Sequence, residues 1–446
     1  MKKWLLGLLI FFLGLVIFFP YIGSSSLGKP FVLLLLQNPI HGSLSVKKVR
    51  LSWFGPQVFE RSVLKSSEYI IKCDTVSAYI PLWQIKNWQR HIQIQNGSFS
   101  SLQYEQGELV DVQAIIQDGK IELTALTPQK GSLSIQGTLP AQKKPFNLAI
   151  KLRNIPTIVL DGLLQCNTWL TKTLGSLSNI NAVYTSEKEK ETLSIDLTSI
   201  QVKSSLRAEI SDHVMTLTAP WISTLSMSDS LRSALLEKMQ SQWITDFQPK
   251  NPIILQIFPE NFRCSLFPFQ FNKLQIGNGS LNLGKVLIQS DPSTRFLMKL
   301  LKGQGIANPI LFWFTSLPFH LENKMLSLGR VDALLSQSIH LCTWGEVNLS
   351  TEKLHMFLGI PIATLQNILD ISIFPSNYVF KIPITGSLTR PKFNTGPAFG
   401  KIATMAASKQ IPTMPGKIFG GLVNTIVQAQ DQNDVPEPQR PFPWER

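Results

Sequence analysis

The sequence contains few cysteines and histidines, and this shortage argues against several kinds of site. Only four cysteines and six histidines occur in 446 residues. No CxxC pair and no Cys/His cluster is present, so the sequence does not support a zinc site or a redox motif. The even number of cysteines permits one or two disulfides, whereas apolar neighbours suit buried thiols equally well. The disulfide state therefore stays open for Cys73, Cys166, Cys264 and Cys342.

Signatures of catalysis are missing as well. The sequence has no GxSxG, Walker A, HExxH, GxGxxG or EF-hand pattern. The histidines are isolated from one another, and none shares a short motif with a carboxylate and a nucleophile. We therefore expect a protein that is not an enzyme and that needs no metal or cofactor.

Acidic residues are scarce relative to basic ones. The chain has 29 acidic and 42 basic residues, a net charge of +13, but charged residues make up only 16% of it. The lysines and arginines are spread singly through apolar segments, whereas a nucleic-acid site needs a basic cluster or stripe. We expect no nucleic-acid partner. The excess positive charge suits either general solubility or contact with anionic lipid headgroups.

One long hydrophobic run stands at the start of the chain. About nineteen uncharged residues follow Lys2 and Lys3, which is enough for a helix to cross a hydrocarbon core of about 30 Å. Because Lys29 alone follows closely, the positive-inside rule places the N-terminus in the cytoplasm and the bulk in the periplasm. A cleaved secretory signal is the alternative. The predicted anchor residues are Trp4, Leu5, Leu9, Phe12, Leu15, Phe18, Tyr21 and Ile22.

Beyond this run, apolar and polar residues alternate with a period of two. The segment from Phe146 to Arg153 is typical, because its apolar side chains all fall on one face of a strand. Turn signals separate such segments at Asn96-Gly97, Asp118-Gly119, Lys130-Gly131, Asn278-Gly279 and 387–391. The pattern predicts antiparallel meanders. Amphipathic helices are predicted only at 230–244, with Asp229 as N-cap, at 293–302, at 362–370 and within 396–430.

The many one-sided strands pose a packing problem, since so few helices cannot cover them. The apolar faces either pack against each other in a closed sandwich or line an open trough, and alternation does not distinguish the two. Candidate trough-lining residues are Ile92, Ile94, Ile121, Leu123, Leu133, Ile135, Phe146, Leu148, Ile150, Leu152, Leu281, Leu283, Phe380, Ile382 and Ile384.

Two segments resemble a known family. Residues 42–56, GSLSVKKVRLSWFGP, followed by 74–83 and 91–99, are similar to the opening of AsmA-like envelope proteins, in which a strand pair ends in a W-x-G-P-like turn. Residues 380–393, FKIPITGSLTRPKF, resemble that family's C-terminal signature, and 322–358 resemble the block before it. The turn residues that carry the resemblance are Trp53, Gly55, Pro56, Gly386 and Pro391.

The resemblance implies a mainly β protein: an elongated, curled antiparallel sheet with an open apolar groove and a few short helices, preceded by one transmembrane helix. It implies a single-pass inner-membrane protein that binds, shields or transfers phospholipid across the periplasm. An envelope assembly factor with protein partners is the alternative. The expected segments are an anchor at 1–23, AsmA-like β regions at 24–110 and 321–430, a central β region at 111–320 and a disordered tail at 431–446.

Overall fold

The architecture comes from a computed structural model of the chain. It describes residues 20–21, 23–25, 28–30, 32–33, 43–67, 69–83, 91–101, 108–138, 146–164, 166, 168–187, 190–239, 244–266, 271–290, 309–336, 338–369, 377–394 and 434–445. The chain is mainly β and antiparallel, as the alternation predicts. It divides into two compact units, Met1–Ile200 and Gln201–Arg446. Residues 110 and 320, at which the expected β regions end, lie inside strands.

The first unit is a ten-stranded antiparallel meander in which each strand pairs with the next along the chain. Short connections and one-sided apolar faces favour this nearest-neighbour order. The strands are β1 (Ser43–Arg50), β2 (Gln57–Lys65), β3 (Tyr69–Ala78), β4 (Ile92–Ser101), β5 (Glu108–Gln117), β6 (Lys120–Leu126), β7 (Ser132–Thr138), β8 (Phe146–Pro156), β9 (Leu177–Glu187) and β10 (Lys190–Ser199).

Not every turn signal produces a turn. Asp118 and Gly119 both have positive φ and connect β5 to β6, as predicted. Asn96-Gly97, in contrast, lies inside β4 at a register shift, with Asn96 at φ 52°. The pair therefore forms a β-bulge, because the left-handed conformation that suits a tight turn also absorbs one extra strand residue. The bulge keeps the apolar side chains of β4 on one face.

Two short helices, absent from the sequence predictions, follow β8. Helix α1 (Thr157–Leu164) lays Val159 and Leu160 against the end of the apolar face. Helix α2 (Trp169–Leu174) is linked to α1 by Asp161, a fully buried residue of α1. The Asp161 carboxylate accepts the backbone N–H groups of Leu170 and Thr171 at 2.9 and 2.8 Å, at the first turn of α2.

The second unit contains the other fifteen described strands. They are β11 (Val202–Ser211), β12 (Val214–Leu217), β13 (Trp221–Leu225), β14 (Ile244–Pro249), β15 (Ile253–Ile257), β16 (Cys264–Ser265), β17 (Ile276–Asn282), β18 (Lys285–Ser290), β19 (Ile310–Phe314), β20 (Leu317–Glu322), β21 (Met325–Leu335), β22 (Ile339–Asn348), β23 (Lys353–Pro361), β24 (Val379–Gly386) and β25 (Pro391–Phe393). A 3₁₀ turn covers Phe271–Lys273.

Two long strands branch this second sheet. Strand β11 pairs with β12 through its second half and with β13 through its first half. Strand β21 pairs with β20 and β19 in the same divided manner, and then with β22 on its other edge. Asn278-Gly279, predicted as a turn, lies inside β17 at a bulge. Phe319 packs directly over Gly279, where a Cβ would lie 2.3 Å from its ring.

Helices of the second unit partly follow the predictions. Helix α3 (Asp229–Met239) lies in the segment predicted at 230–244 but does not reach its end, since Ile244 belongs to β14. Ser228, and not Asp229, is its cap, because Ser228 Oγ accepts the Leu231 N–H at 3.2 Å. Helix α4 (Ile362–Leu369) confirms the one at 362–370. It covers a core of Leu341, Ile360, Phe380 and neighbouring side chains.

Several predictions fall on residues that lie outside the described ranges. These are the helices at 293–302 and 396–430 and, of the predicted anchor, Trp4, Leu5, Leu9, Phe12, Leu15, Phe18 and Ile22. Tyr21 is described and is helical. Among the described residues, no helix combines the length and apolar character needed to cross a bilayer.

Candidate functional site

A continuous row of apolar side chains crosses all ten strands of the first unit. Directly paired residues of antiparallel strands point to the same face, so the register defines the row. In strand order it consists of Val49, Phe59, Val76, Ile94, Ala114, Leu123, Ile135, Ile150, Ala182 and Ile195. At about 4.8 Å between strands, nine intervals make a face roughly 43 Å wide.

A second row runs beside the first, toward the strand ends near residues 92 and 148. It consists of Ala78, Ile92, Ile116, Ile121, Gly137, Leu148, Tyr184 and Leu193. The side chains between these positions point the opposite way and are mostly polar, among them the exposed Glu122, Gln136 and Lys151, although Ile115, Ala149 and Val183 also lie on that side. The sheet therefore has one apolar and one mainly polar face.

Other parts of the first unit cover some of the apolar side of the sheet and leave the rest partly exposed. At one end, Val159 and Leu160 of α1 belong to a buried cluster with Leu152 and other strand residues, and Leu123, Leu133, Ile150 and Ile180 pack against that cluster. Over β1 and β2, Val32 packs on Val46, Val49 and Phe59. Outside these two clusters Ala78, Ala114 and the predicted lining residue Ile92 are also buried, whereas seven apolar side chains stay partly exposed. We call this set the apolar face: Ile94, Ile116, Ile121, Ile135, Leu148, Leu193 and Ile195.

The rim of the apolar face is aromatic and polar. Phe146 packs on Tyr184, with ring centroids 5.5 Å apart. Burial, together with a hydrogen bond to the Glu191 carboxylate, raises the pKa of Tyr184 to about 12. The phenol thus stays protonated at neutral pH. The rim thus places the neutral Tyr184 hydroxyl and the Glu191 carboxylate beside apolar side chains.

The candidate trough residues of the second unit do not form one surface. Phe380 and Ile382 are each 1% exposed and belong to the core beneath α4, so they fill a packed interior and are not available to line a trough. Both faces of β24 are covered, which accounts for this burial. Leu281, Leu283 and Ile384 remain partly exposed, and Leu281 aligns with Leu255 and Leu317 across three strands.

The motif turns of the first unit are rigidly built. Gln57 is fully buried, and its Nε2 donates to the backbone oxygens of Ser52, Gly55 and Ile80 at 2.6, 3.0 and 3.0 Å. Its Oε1 accepts the Ser52 N–H at 2.9 Å. Gln57 thus ties the 51–56 turn, which contains Trp53 and Pro56, to the chain that follows β3.

The motif turn of the second unit requires glycine. Gly386 has φ +94°, and a Cβ there would lie 2.6 Å from the Arg390 carbonyl oxygen. Pro391 begins the short edge strand β25 that follows. Both motif turns therefore shape the ends of strands.

A buried ionic cluster that the sequence predictions missed lies on β21 and β22. The Arg330 guanidinium donates to both oxygens of Asp332, from Nε at 3.1 and 3.0 Å and from Nη2 at 2.8 Å. His340 Nε2 lies 2.8 Å from Asp332 Oδ1. The side chains of Arg330 and Asp332 are 7% and 0% exposed. The only sign of this ion pair in the sequence is the spacing of Arg330 and Asp332. Two residues apart on one strand, their side chains point to the same face of the sheet.

Cys342 lies directly opposite Asp332 but is not an activated nucleophile. Burial raises the pKa of the Cys342 thiol to about 12, with Arg330 opposing and Asp332 reinforcing the rise. The thiol is therefore protonated at neutral pH.

All four cysteines are free thiols in the structure. Within the described residues, no group of three or more histidine, cysteine or acidic side chains could hold a metal ion.

The C-terminal residues 434–445, which we call the strap, cover this ionic cluster. Arg330 Nη1 donates to the Pro436 carbonyl at 3.1 Å, and Val435 packs with Cys342 and Trp344. Phe442 is 4% exposed, and its ring lies 4.9 Å from that of His340. The structure thus gives most of the predicted disordered tail a defined position, because its prolines and aromatic residues find apolar partners on the sheet.

The buried thiol makes stability sensitive to alkali. The folded state holds the Cys342 proton up to about pH 12, whereas a thiol of ordinary pKa loses it near 9.0. The contribution of the protonated Cys342 thiol to the free energy of unfolding is thus complete below pH 9 and is lost as the pH rises from about 9 to about 12. In Cys342→Ala, we expect the free energy of unfolding to decrease less steeply as the pH rises over this range. The partly exposed Cys166→Ala is the control, and identical pH profiles for both variants would contradict the assignment.

Comparisons with protein-family models, curated proteins and solved structures find no match to this chain.

Proposed function

We propose that this chain is a membrane-tethered envelope protein, of the AsmA-like kind, that binds phospholipid acyl chains on its apolar face. The observation that carries the proposal is the row of apolar residues that crosses ten strands and stays partly exposed over much of its length. A closed core would bury those side chains. Polar residues on the opposite side of the sheet can remain in water while lipid covers the apolar side.

The energetics and dimensions suit this use. Each methylene group kept from water contributes roughly 0.8 kcal/mol, so an exposed chain of about sixteen carbons would lose on the order of 12 kcal/mol. One leaflet of a bilayer is roughly 15 Å thick in its hydrocarbon part. The apolar face runs from Ile94 on β4 to Ile195 on β10, six strand intervals or roughly 29 Å, which is longer than that. It can therefore hold most of the length of one acyl chain.

The site for the tether is the uncharged run that begins at Trp4. A helix held in the inner membrane by this run would keep the β units in the periplasm, close to a supply of phospholipid. The proposal needs no catalytic group. It also accounts for the low charge content, since lipid-facing side chains must be apolar.

A charge placed on the apolar face should abolish lipid binding. We expect Ile135→Glu to reduce the phospholipid that copurifies with the full chain in mild detergent by at least tenfold, since a carboxylate there must be desolvated by the acyl chain. Lipid extraction and mass spectrometry provide the measurement. Gln136→Glu is the matched control, because residue 136 is adjacent on β7 and exposed on the opposite face.

Two outcomes would contradict the proposal. The first is a parent protein without enriched lipid. The second is equal lipid content in Ile135→Glu and Gln136→Glu. Either result would favour the alternative of an envelope assembly factor that binds a protein through its sheet. Circular dichroism of both variants verifies that the β structure is retained.

A further inference from the structure

Exposed aromatic side chains concentrate at one end of the first unit. Of the five exposed aromatic residues in the described ranges, Tyr21, Phe54, Tyr79 and Trp83 belong to residues 20–83, and Trp169 lies on α2. Phe54 is 86% exposed and Trp83 is 58% exposed. Their rings meet edge to face with centroids 5.5 Å apart. We call Phe54, Tyr79 and Trp83 the aromatic platform.

The platform is rigid although it is exposed. Gln57 binds the 51–56 turn and Ile80 together through the hydrogen bonds given above. The Leu82 N–H also donates to the Trp53 carbonyl at 3.3 Å, and the Tyr79 hydroxyl donates to Gln93 Oε1 at 2.9 Å. The four hydrogen bonds of Gln57 offset the cost of burying its amide. They hold together the 51–56 turn, which presents Phe54 to solvent, and the segment after β3, which presents Trp83.

The described residues that follow the uncharged N-terminal run lie near this platform. Ser24 Oγ accepts the N–H of Leu51, the first residue of the 51–56 turn, at 2.8 Å. Gly23 fits against the Leu51 side chain, where a Cβ would lie 2.6 Å from Cδ1. Lys29 Nζ donates to the Lys47 carbonyl at 3.3 Å, and Val32 is buried against β1. The chain that leaves the run is thus fastened beside the platform.

The second apolar row lies at the same end of the sheet. Ala78, the last residue of β3, pairs with Ile92, the first residue of β4, and the connection between them contains Tyr79 and Trp83. Tryptophan and tyrosine are the residues that favour the headgroup region of a bilayer, because their rings combine an apolar body with a polar group. One end of the sheet thus combines the residues that follow the run, the aromatic rings and the border of the apolar face.

We propose that the aromatic platform inserts into the headgroup region of the phospholipid bilayer that holds the N-terminal run, and thereby seats the border of the apolar face at the lipid source. This inference rests on the proposed membrane tether. The occupant is a lipid surface, because Ser24 and Val32, which follow the hydrophobic run in sequence, are held against Leu51 and β1, so that a run in the bilayer keeps this end of the sheet close to lipid.

The experiment uses the full chain reconstituted into vesicles of phosphatidylcholine and phosphatidylglycerol in a ratio of about 3:1, a mixture that supplies the anionic surface a basic protein favours. We expect lipids brominated in the acyl chain near the headgroup to quench the fluorescence of the parent protein more than that of Trp83→Phe. We also expect Phe54→Asp/Trp83→Asp to slow lipid loading from the vesicles at least tenfold. Trp169→Asp, which alters an aromatic side chain 47% exposed, should leave that rate unchanged.

The outcomes separate this inference from the proposed function. If the parent chain fails to float with the vesicles, the tether is absent and both proposals fall. If it floats but Trp83→Phe is quenched as strongly as the parent, the platform does not reach the bilayer. Equal loading rates for the Asp variants of the platform and of Trp169 would likewise overturn the inference, while leaving lipid binding on the apolar face intact.

Discussion

Asp332→Ala is expected to lower the free energy of unfolding of the second unit by about 3 to 5 kcal/mol. Asp332 is fully buried and receives hydrogen bonds from the nearly buried Arg330 and a close contact from His340. Its removal leaves the guanidinium without a counter-charge in a site that water does not reach. Urea unfolding of the full chain, monitored by hydrogen exchange of peptides from 325–348, measures the loss.

Two comparisons test the physical cause of that loss. Arg330→Met/Asp332→Leu removes both charges and should restore much of the stability, since no buried charge is then left alone. Glu322→Ala removes the carboxylate of a solvent-exposed pair with His320, 3.5 Å away, and should change stability by less than about 1 kcal/mol. If Asp332→Ala and Glu322→Ala have similar effects, the cluster does not carry the stability assigned to it.

Phe442→Ala is expected to cost about 3 to 5 kcal/mol at most and to release the strap. The Phe442 ring packs against His340 and Trp444, with both centroid distances at 4.9 Å, and these two rings also contact each other. Its loss removes the largest buried apolar contact of residues 434–445. The cost cannot exceed the free energy with which the strap docks on the sheet. Hydrogen exchange of the strap backbone and of the His340 region measures its release.

Glu437→Ala provides the matched control for the strap. Glu437 lies on the same segment and is exposed, so its truncation should leave exchange within the strap unchanged. Release in Phe442→Ala should also expose the side chains that the strap covers, including Arg330 and Cys342. Faster modification of the Cys342 thiol in Phe442→Ala is therefore expected. If exchange and thiol modification match those of Glu437→Ala, Phe442 does not hold the strap in place.

Sequence reasoning located the candidate face better than it located the turns. Ile135 and Ile150 were assigned to one face from alternation, and the register brings them side by side. Asn96-Gly97 has the composition of a hairpin turn, yet it forms a bulge. The two outcomes use the same left-handed backbone, and which one occurs depends on whether the partner strand continues past it.

The strap shows a limit of a composition argument. A Pro-rich polar segment of low hydrophobicity commonly stays disordered, since it cannot bury enough surface to offset the entropy of ordering. Residues 434–445 nevertheless contain Val435, Phe442 and Trp444, which are enough when a preformed sheet supplies the other half of each contact. The sequence of the tail does not contain that surface.

The sequence by itself determined the strand content and the division of each first-unit strand into an apolar and a polar side, because the two-residue period is a local property of the backbone. Only the tertiary structure decided which apolar sides stay partly exposed. Ile135 and Phe380 have equivalent patterns, but Phe380 is 1% exposed beneath α4 whereas Ile135 remains partly exposed. The ionic cluster of Arg330, Asp332 and His340 likewise exists only because β21, β22 and the strap exclude water around it.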